Sequence, residues 1–300
     1  MLYYRRKLVL ALLEAFDGKL TAKSLQKFLF LITRQQPAPT YDFVPYQYGC
    51  FSFQANQDVS TLMTYGYLDV VEGPNGRFIG LKQKGCYQDM LSPFDRAALQ
   101  DVKNRFGAMS QNDLIRYTYR NYPYFATKSA IASTLMTTDE LAEISKHKKT
   151  LDVSYLCSIG YEGISLEAYM NKLINADVRV LCDVRKNAYS QKYGFSKTPL
   201  RTACEGVGIQ YVHLPELGIE SAQRTDLRTQ QDYDVLFAHY GRTTLKQNTD
   251  GLLKIITFIS SAQRVAVTCF EANPIQCHRS HVAKAVLDLM EDRQCHLLIL

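Results

Sequence analysis

From residue 153 to the last residue, 300, five short apolar runs recur with room for a helix between them, and this alternation constrains the fold more than any other feature. The runs cover 153–159, 178–184, 209–214, 265–270 and 295–300, and helical stretches fall between them, including 165–175, 250–262 and 279–291. A strand that is apolar throughout, rather than at alternate positions, has to be covered on both faces. Short buried strands alternating with helices therefore predict an α/β domain, a Rossmann-like mostly parallel sheet over 151–300.

The N-terminal part obeys a different rule. Leu8, Leu12, Leu13 and Phe16 recur at helical spacing within 2–16. Thr21 stands where an N-cap belongs, ahead of a second helix over 22–34, and Pro37 and Pro39 prevent that helix from continuing. A third helix is expected over 54–66, then two alternating runs, 67–71 and 77–81, around Gly73-Pro74-Asn75-Gly76, which predicts a hairpin. Three helices and then a hairpin is the winged-helix order, so a mostly α, winged-helix-like module is expected over 1–90. Two more helices fall within 92–122, the second (112–122) interleaving Tyr and Arg; such a helix can stack on bases and touch phosphates, or simply pack on the first module. Residues 91–150 are expected to form a helical extension ending in a polar linker over 137–152 that contains His147-Lys148-Lys149.

Composition narrows the class of protein. The net charge of +6 suits a polyanionic partner without requiring one. The eight cysteines are scattered singly, with no CxxC, no secretory leader opens the chain, and every apolar stretch is too short to span a bilayer. A cytoplasmic protein with reduced thiols and no membrane association is expected. Cys269, Cys277 and His278 could ligate a metal, but the set is incomplete and irregularly spaced, so neither metal nor cofactor is expected. Oligomeric state is not legible.

In an open parallel sheet, ligands sit beyond the carboxyl ends of the strands. The first strand there delivers Tyr161 and Glu162. The second delivers Asp183 and Arg185, then Ser190, Lys192, Phe195 and Lys197. The third ends on His213, and the fourth on Glu271, with Cys277, His278 and Arg279 beyond it. Carboxylates, cations and an imidazole gather at one rim, which stability alone does not demand, because buried charges are costly unless paired.

Two regions resemble known families. Leu25-Gln26-Lys27-Phe28-Leu29-Phe30-Leu31, Tyr46-x-Tyr48-Gly49-x-Phe51-Ser52 and Leu62-x3-Gly66-Tyr67-Leu68 resemble the opening domain of Panacea-type antitoxins, which implies a module that binds DNA or another macromolecule. The ordered phrases S-x-G-Y-x-G, D-V-R, S-x-K-x-G-F-S-K, H-L-P-x-L-G and C-F-E-x5-C-H-R over 153–300 resemble the family called domain of unknown function 488. That resemblance implies a Rossmann-like domain found beside nucleic-acid modification and anti-phage defence genes, with glycosylase-type activity. Gln191 stands where the family's S-R-K carries arginine, so one phosphate-binding cation is missing.

The leading expectation is a hydrolase of DNA-glycosylase type that cleaves the N-glycosidic bond of a modified base and leaves an abasic site, in defence or repair. That chemistry needs carboxylates to stabilise cationic sugar character and orient water, and Glu271 and Asp183 are the catalytic candidates. Lys192, Lys197, Arg185 and Arg279 would hold phosphates or the departing base, and Tyr161 and Phe195 would stack on a flipped base. Ser190, His213, Cys277, His278 and Glu162 complete the expected substrate site. Asp183 could instead be one half of a structural ion pair with Arg185 or Arg279, and Glu271 could cap a helix. Other classes stay open: a nucleotide- or NAD-hydrolysing toxin, a DNA-binding regulator with a ligand-sensing α/β domain, and a cysteine-based sulfur- or phosphoryl-transfer enzyme, for which no phosphate-cradling C-x5-R loop is present.

Overall fold

The computed structural model describes residues 2–73, 76–150, 153–224, 227–261, 264–290 and 295–300, and it divides into two compact units, Met1–Lys148 and Lys149–Leu300. The first runs α1 (Tyr4–Ala15), β1 (Lys19–Thr21), α2 (Ala22–Thr33), β2 (Val44–Tyr46), β3 (Gly49–Phe51), α3 (Phe53–Thr64), β4 (Leu68–Gly73) and β5 (Gly76–Leu81). Thr21 caps α2, its Oγ1 accepting from the Ser24 amide at 3.1 Å, which satisfies one of the donors a helix start leaves unpaired. Strands β4 and β5 pair antiparallel from Leu68 opposite Leu81 to Gly73 opposite Gly76. The Pro74-Asn75 part of the expected turn lies outside the described residues. Strand β1 was not foreseen, because three residues are too few to show a period; it joins β5 and makes a three-stranded sheet, β1-β5-β4.

The unit continues with α4 (Pro93–Phe106), α5 (Gln111–Asn121), α6 (Ala132–Leu135) and α7 (Thr138–Lys146). Leu99, Val102 and Phe106 of α4 bury in the same core as Leu8, Leu12 and Phe28. The Tyr and Arg side chains of α5 are used in packing. Tyr119 is buried and shares a hydrogen bond with Ser129, Tyr117 lies against Phe106, and Arg120 pairs with Glu140 at 2.5 Å. Of the two roles open to this helix, packing is the one its side chains fill. Within the expected linker, Thr138–Lys146 is a helix, started by a reciprocal capping box between Thr137 and Glu140.

The second unit runs β6 (Tyr155–Gly160), α8 (Leu166–Asn175), β7 (Val180–Asp183), α9 (Lys197–Glu205), β8 (Gln210–His213), α10 (Gln230–Tyr240), α11 (Thr249–Ser260), β9 (Val265–Cys269), α12 (His278–Leu289) and β10 (His296–Ile299). All five expected strands form one sheet, every pairing parallel, in the order β10-β6-β9-β7-β8. Strand β10 departs from the expected burial: it hydrogen-bonds to β6 at the sheet edge while Leu297, Leu298 and Ile299 stay exposed.

Successive side chains of a strand point to opposite faces. Val180, Cys182, Val265 and Val267 bury against Phe237, Ile255 and Val282 of α10, α11 and α12. The alternate residues turn to the other face, where Thr268 accepts from the Tyr169 hydroxyl of α8 at 2.8 Å. This alternation decides which strand-end residues can meet.

Candidate active site

Asp183, in register with Thr268, takes the α8 and α9 face and is fully buried. Arg185 reaches back to it through Nε at 2.8 Å and Nη2 at 2.5 Å, the Arg185 amide donates at 3.1 Å, and the Tyr211 hydroxyl donates at 2.6 Å. Burial, and then the adjacent Asp183 charge, push the Tyr211 phenol well above its ordinary value, so it stays a donor. Arg185 spends its remaining Nη1 on the Tyr161 hydroxyl at 2.7 Å and the Phe195 carbonyl at 2.9 Å. Tyr161 and Phe195 stack on each other with centroids 4.2 Å apart, both buried. Asp183, expected as catalytic, and Tyr161 and Phe195, expected to receive a base, are thus engaged with one another through Arg185 on this face, with Tyr161 also lining the cleft. The rings that stand open near the cleft are Phe270 and Tyr189.

Cys269 is one residue beyond Thr268 and therefore turns to the α10–α12 face, where it meets a second cluster. Its Sγ lies 3.1 Å from Glu271 Oε2 and 3.5 Å from His278 Nδ1. Arg224, from the segment between β8 and α10, donates through Nη1 to Glu271 Oε1 and through Nη2 to His278 Nδ1, each at 2.6 Å. His278 Nε2 stands 2.8 Å from the Val184 carbonyl, so Nε2 carries the proton and Nδ1 accepts. Burial alone would push the Cys269 thiol up. A hydrogen bond from Cys277, with His278 and Arg224 alongside, outweighs it and brings Cys269 well below the usual thiol value. Cys277 moves the other way, raised by burial and by its bond to Cys269. Burial lowers His278, and Cys269 more than restores it.

Arg279 is not available for phosphate. It is almost fully buried and ties the loop after β9 to the sheet, donating to the Ser158 hydroxyl at 3.0 Å, the Ala272 carbonyl at 3.1 Å and the Glu271 carbonyl. The approach is close enough that a Cβ on Gly160 would fall 1.9 Å from the Glu271 carbonyl oxygen. Lys192 donates to the Tyr161 carbonyl at 2.8 Å and is lowered by burial. His213 Nε2 lies 2.9 Å from the Arg185 carbonyl, and Glu162 accepts from the Ala272 amide at 2.9 Å. Lys197 opens α9 with an exposed side chain, and Ser190 lines the cleft.

The cleft on this rim is lined by Arg185, Lys186, Ser190, Arg224, Cys269 and His278, and a neighbouring hollow by Glu271, Arg224, Tyr233 and Gln276. Arg224 borders both, and among the described residues its Nε is a buried nitrogen without a hydrogen-bond partner. Sequence reading missed this residue because no strand end delivers it. The one available signal was length: the stretch from 214 to 229 between β8 and α10 is long for a connection, and long connections carry function. Cys269, Cys277 and His278 also bring ligand atoms within 4.8 Å of one another, a donor set that suits zinc. The Nδ1 lone pair that a metal would need is already taken by Arg224.

The fold and this cluster define an α/β domain with a thiol, an imidazole, a carboxylate and a guanidinium at the carboxyl end of its sheet. A family model described as domain of unknown function DUF488 matches residues 165–286, which span β7, β8 and β9 and contain every residue of the cluster. No curated protein matches the chain.

Proposed function

We propose that the C-terminal unit is an enzyme that works through Cys269 as a nucleophile on a nucleotide or nucleic-acid substrate. The observation that carries this is the contact of Cys269 Sγ with Glu271 and His278 on the wall of a cleft that also presents Lys186 and Arg224. Glu271 takes the thiol proton as the Cys269 sulfur bonds to the electrophilic centre. Arg224 balances the negative charge, the same proton goes to the departing group, and water then displaces the remaining group from the Cys269 sulfur, its proton restoring the thiol. His278, its Nε2 on the Val184 carbonyl and its Nδ1 accepting from Arg224, holds that guanidinium beside the sulfur. The cations attract a phosphate-bearing substrate, and Phe270 and Tyr189 supply exposed rings for a base. The N-terminal unit, with three helices, a hairpin and polar exposed positions Asn56, Gln57 and Ser60 on α3, fits a winged-helix module that delivers DNA.

Hydrolysis of an N-glycosidic bond on DNA is the second reading. It is favoured by Glu271 facing a hollow with Arg224 and Tyr233, where a carboxylate could stabilise a cationic sugar. It rests on Glu271 alone, since Asp183 is spent in its ion pair.

One experiment separates the two. Parent, Cys269→Ser and Glu271→Gln proteins are incubated with nucleotides and with plain and modified DNA, and products, released bases and enzyme-bound adducts are measured by mass spectrometry. Loss of turnover in Cys269→Ser together with a substrate-derived adduct on Cys269 in the parent supports the thiol enzyme. Base release that survives Cys269→Ser and disappears in Glu271→Gln sinks it in favour of the glycosylase. Zinc retained at one equivalent, with Cys269 resistant to alkylation, would assign the cluster to metal binding instead.

A further inference from the structure

Cys277 is not a reacting group in the chemistry proposed above, yet its thiol stands beside that of Cys269. The two Sγ atoms and a ring nitrogen of His278 all lie within 4.8 Å of one another. The two cysteines differ in access. Cys269 lines the cleft, whereas Cys277 has no exposed surface and is not among the described residues that line either hollow of the rim. A reagent entering the cleft therefore reaches Cys269 first, with the Cys277 thiol close to it. Cys277 stands between the one-turn helix Pro274–Gln276 and α12, on extended backbone with φ −133° and ψ 132°. The loop that joins the two cysteines, 270–276, is exposed or half-buried throughout, so it has room to adjust. A disulfide needs about 2 Å between its sulfurs, so closure asks for at most about 3 Å of movement, within the reach of turning two χ1 angles.

We propose that Cys269 and Cys277 form an oxidation site: a hydroperoxide entering the cleft converts them reversibly to a disulfide, which withdraws the Cys269 sulfur from any substrate. In the first step the Cys269 sulfur attacks one peroxide oxygen and the O–O bond breaks. The sulfur becomes a sulfenic acid, and the other oxygen leaves as an alcohol or water with the thiol proton. In the second step the Cys277 sulfur attacks Cys269, the S–O bond breaks and an S–S bond forms. The hydroxyl leaves as water with the Cys277 proton. The two electrons that the peroxide accepts come one from each sulfur, and a thiol reductant returns them by exchange. The second thiol decides the product, because a solitary sulfenic acid goes on to sulfinic acid, which thiols do not reverse. Cys269 is also the sulfur of the proposed reaction, but its oxidation needs neither substrate nor turnover, so either role can fail while the other stands.

Both cysteines fall in one tryptic peptide, residues 265–279, so the test is mass analysis of that peptide. The full chain is treated with hydrogen peroxide, quenched in acid, unfolded in N-ethylmaleimide and digested. From untreated protein the peptide should carry two maleimides. After peroxide it should carry none and be two hydrogens lighter than the dithiol form, and dithiothreitol given before the maleimide should restore both labels. A peptide that still takes two labels, or one with Cys269 as sulfinic acid and Cys277 labelled, would overturn the pairing. Cys277→Ser tests the order of the steps: peroxide with dimedone should leave the dimedone adduct on Cys269, and a folded variant without it overturns Cys269 as the sulfur oxidised first. Should Cys277→Ser fail to fold, dimedone present while the parent is oxidised decides the same point. An adduct on Cys269 supports the order, and an adduct on Cys277 overturns it.

Discussion

On the α8 and α9 face of the parallel sheet, Asp183 receives four hydrogen bonds from Arg185 and Tyr211 and has no exposed surface. On the α10–α12 face, Glu271 also pairs with an arginine, yet its side chain is 19% exposed, its Arg224 partner 27%, and its second oxygen faces a thiol. Both pairs stand at strand ends of one sheet, and both are carboxylate–guanidinium contacts of similar length. The difference is whether each group has a vacancy left. A pair with every donor and acceptor matched holds the backbone and can do nothing else. A pair left open to a thiol, an imidazole and a cleft can move a proton. Chemistry at a strand end is therefore read from unfinished partnerships more than from residue type.

The sharpest way to break this comparison is Cys269→Ser, which should lower turnover on the order of a thousandfold or more, as loss of a nucleophile does, with little change in melting temperature. Normal turnover in a folded Cys269→Ser protein would leave the open side as structural as the closed one. Next in size is Asp183→Asn. It strands the Arg185 charge in the interior and should cost about 3–5 kcal/mol of stability, at about 2–4 °C of melting temperature per kcal/mol. Activity assayed well below melting should survive, and a folded variant with no activity would return Asp183 to the mechanism. Glu271→Gln should invert that pattern: turnover down about ten- to a hundredfold, the size of a proton-transfer role, and a melting shift smaller than that of Asp183→Asn.

The acidity of Cys269 sharpens the same contrast. Its folded value lies well below the usual thiol value, so ionisation stabilises the fold above the unfolded thiol value, about 8.5, and this contribution is lost as pH falls through the folded value. Alkylation of Cys269 by iodoacetamide should therefore keep its rate as pH drops below about 8.5, where an ordinary thiol slows about tenfold per unit. A rate midpoint at the ordinary thiol value would remove the activating role of His278 and Arg224.

Much of this arrangement is legible in the chain. Five apolar runs fix five parallel strands, and the phrases after them fix one rim. The Thr21 cap and the pairing of β4 with β5 arise from local chemistry. The two faces of the rim were not separable from positions alone: placing Asp183 and Glu271 in one crevice ignored the period of two that turns Asp183 with Thr268 to one side and Cys269 to the other. Arg224 was invisible because it comes from a connecting segment, and its contacts with residues 47 and 54 positions away depend on tertiary folding. Exposure of β10 was missed because an apolar edge strand and an apolar central strand read alike.

The smallest expected effect tests the closed side at its edge. Tyr211 touches Asp183 with one hydroxyl, at 2.6 Å, and its raised phenol keeps that proton over the whole working pH range. Tyr211→Phe preserves the ring and deletes the donor. Asp183 then keeps both contacts from the Arg185 side chain, so its charge stays paired and only one charge-assisted bond is lost, about 1.5–3 kcal/mol at most. That is below the cost of Asp183→Asn, because no ion is left without its partner. If Asp183 belongs to the fold alone, turnover in Tyr211→Phe matches the parent at every pH while urea unfolding shifts to lower midpoint with an unchanged slope. A changed pH–rate profile with unchanged stability would mean that the Tyr211–Asp183 pair exchanges protons with substrate, and the distinction between the two faces would fall.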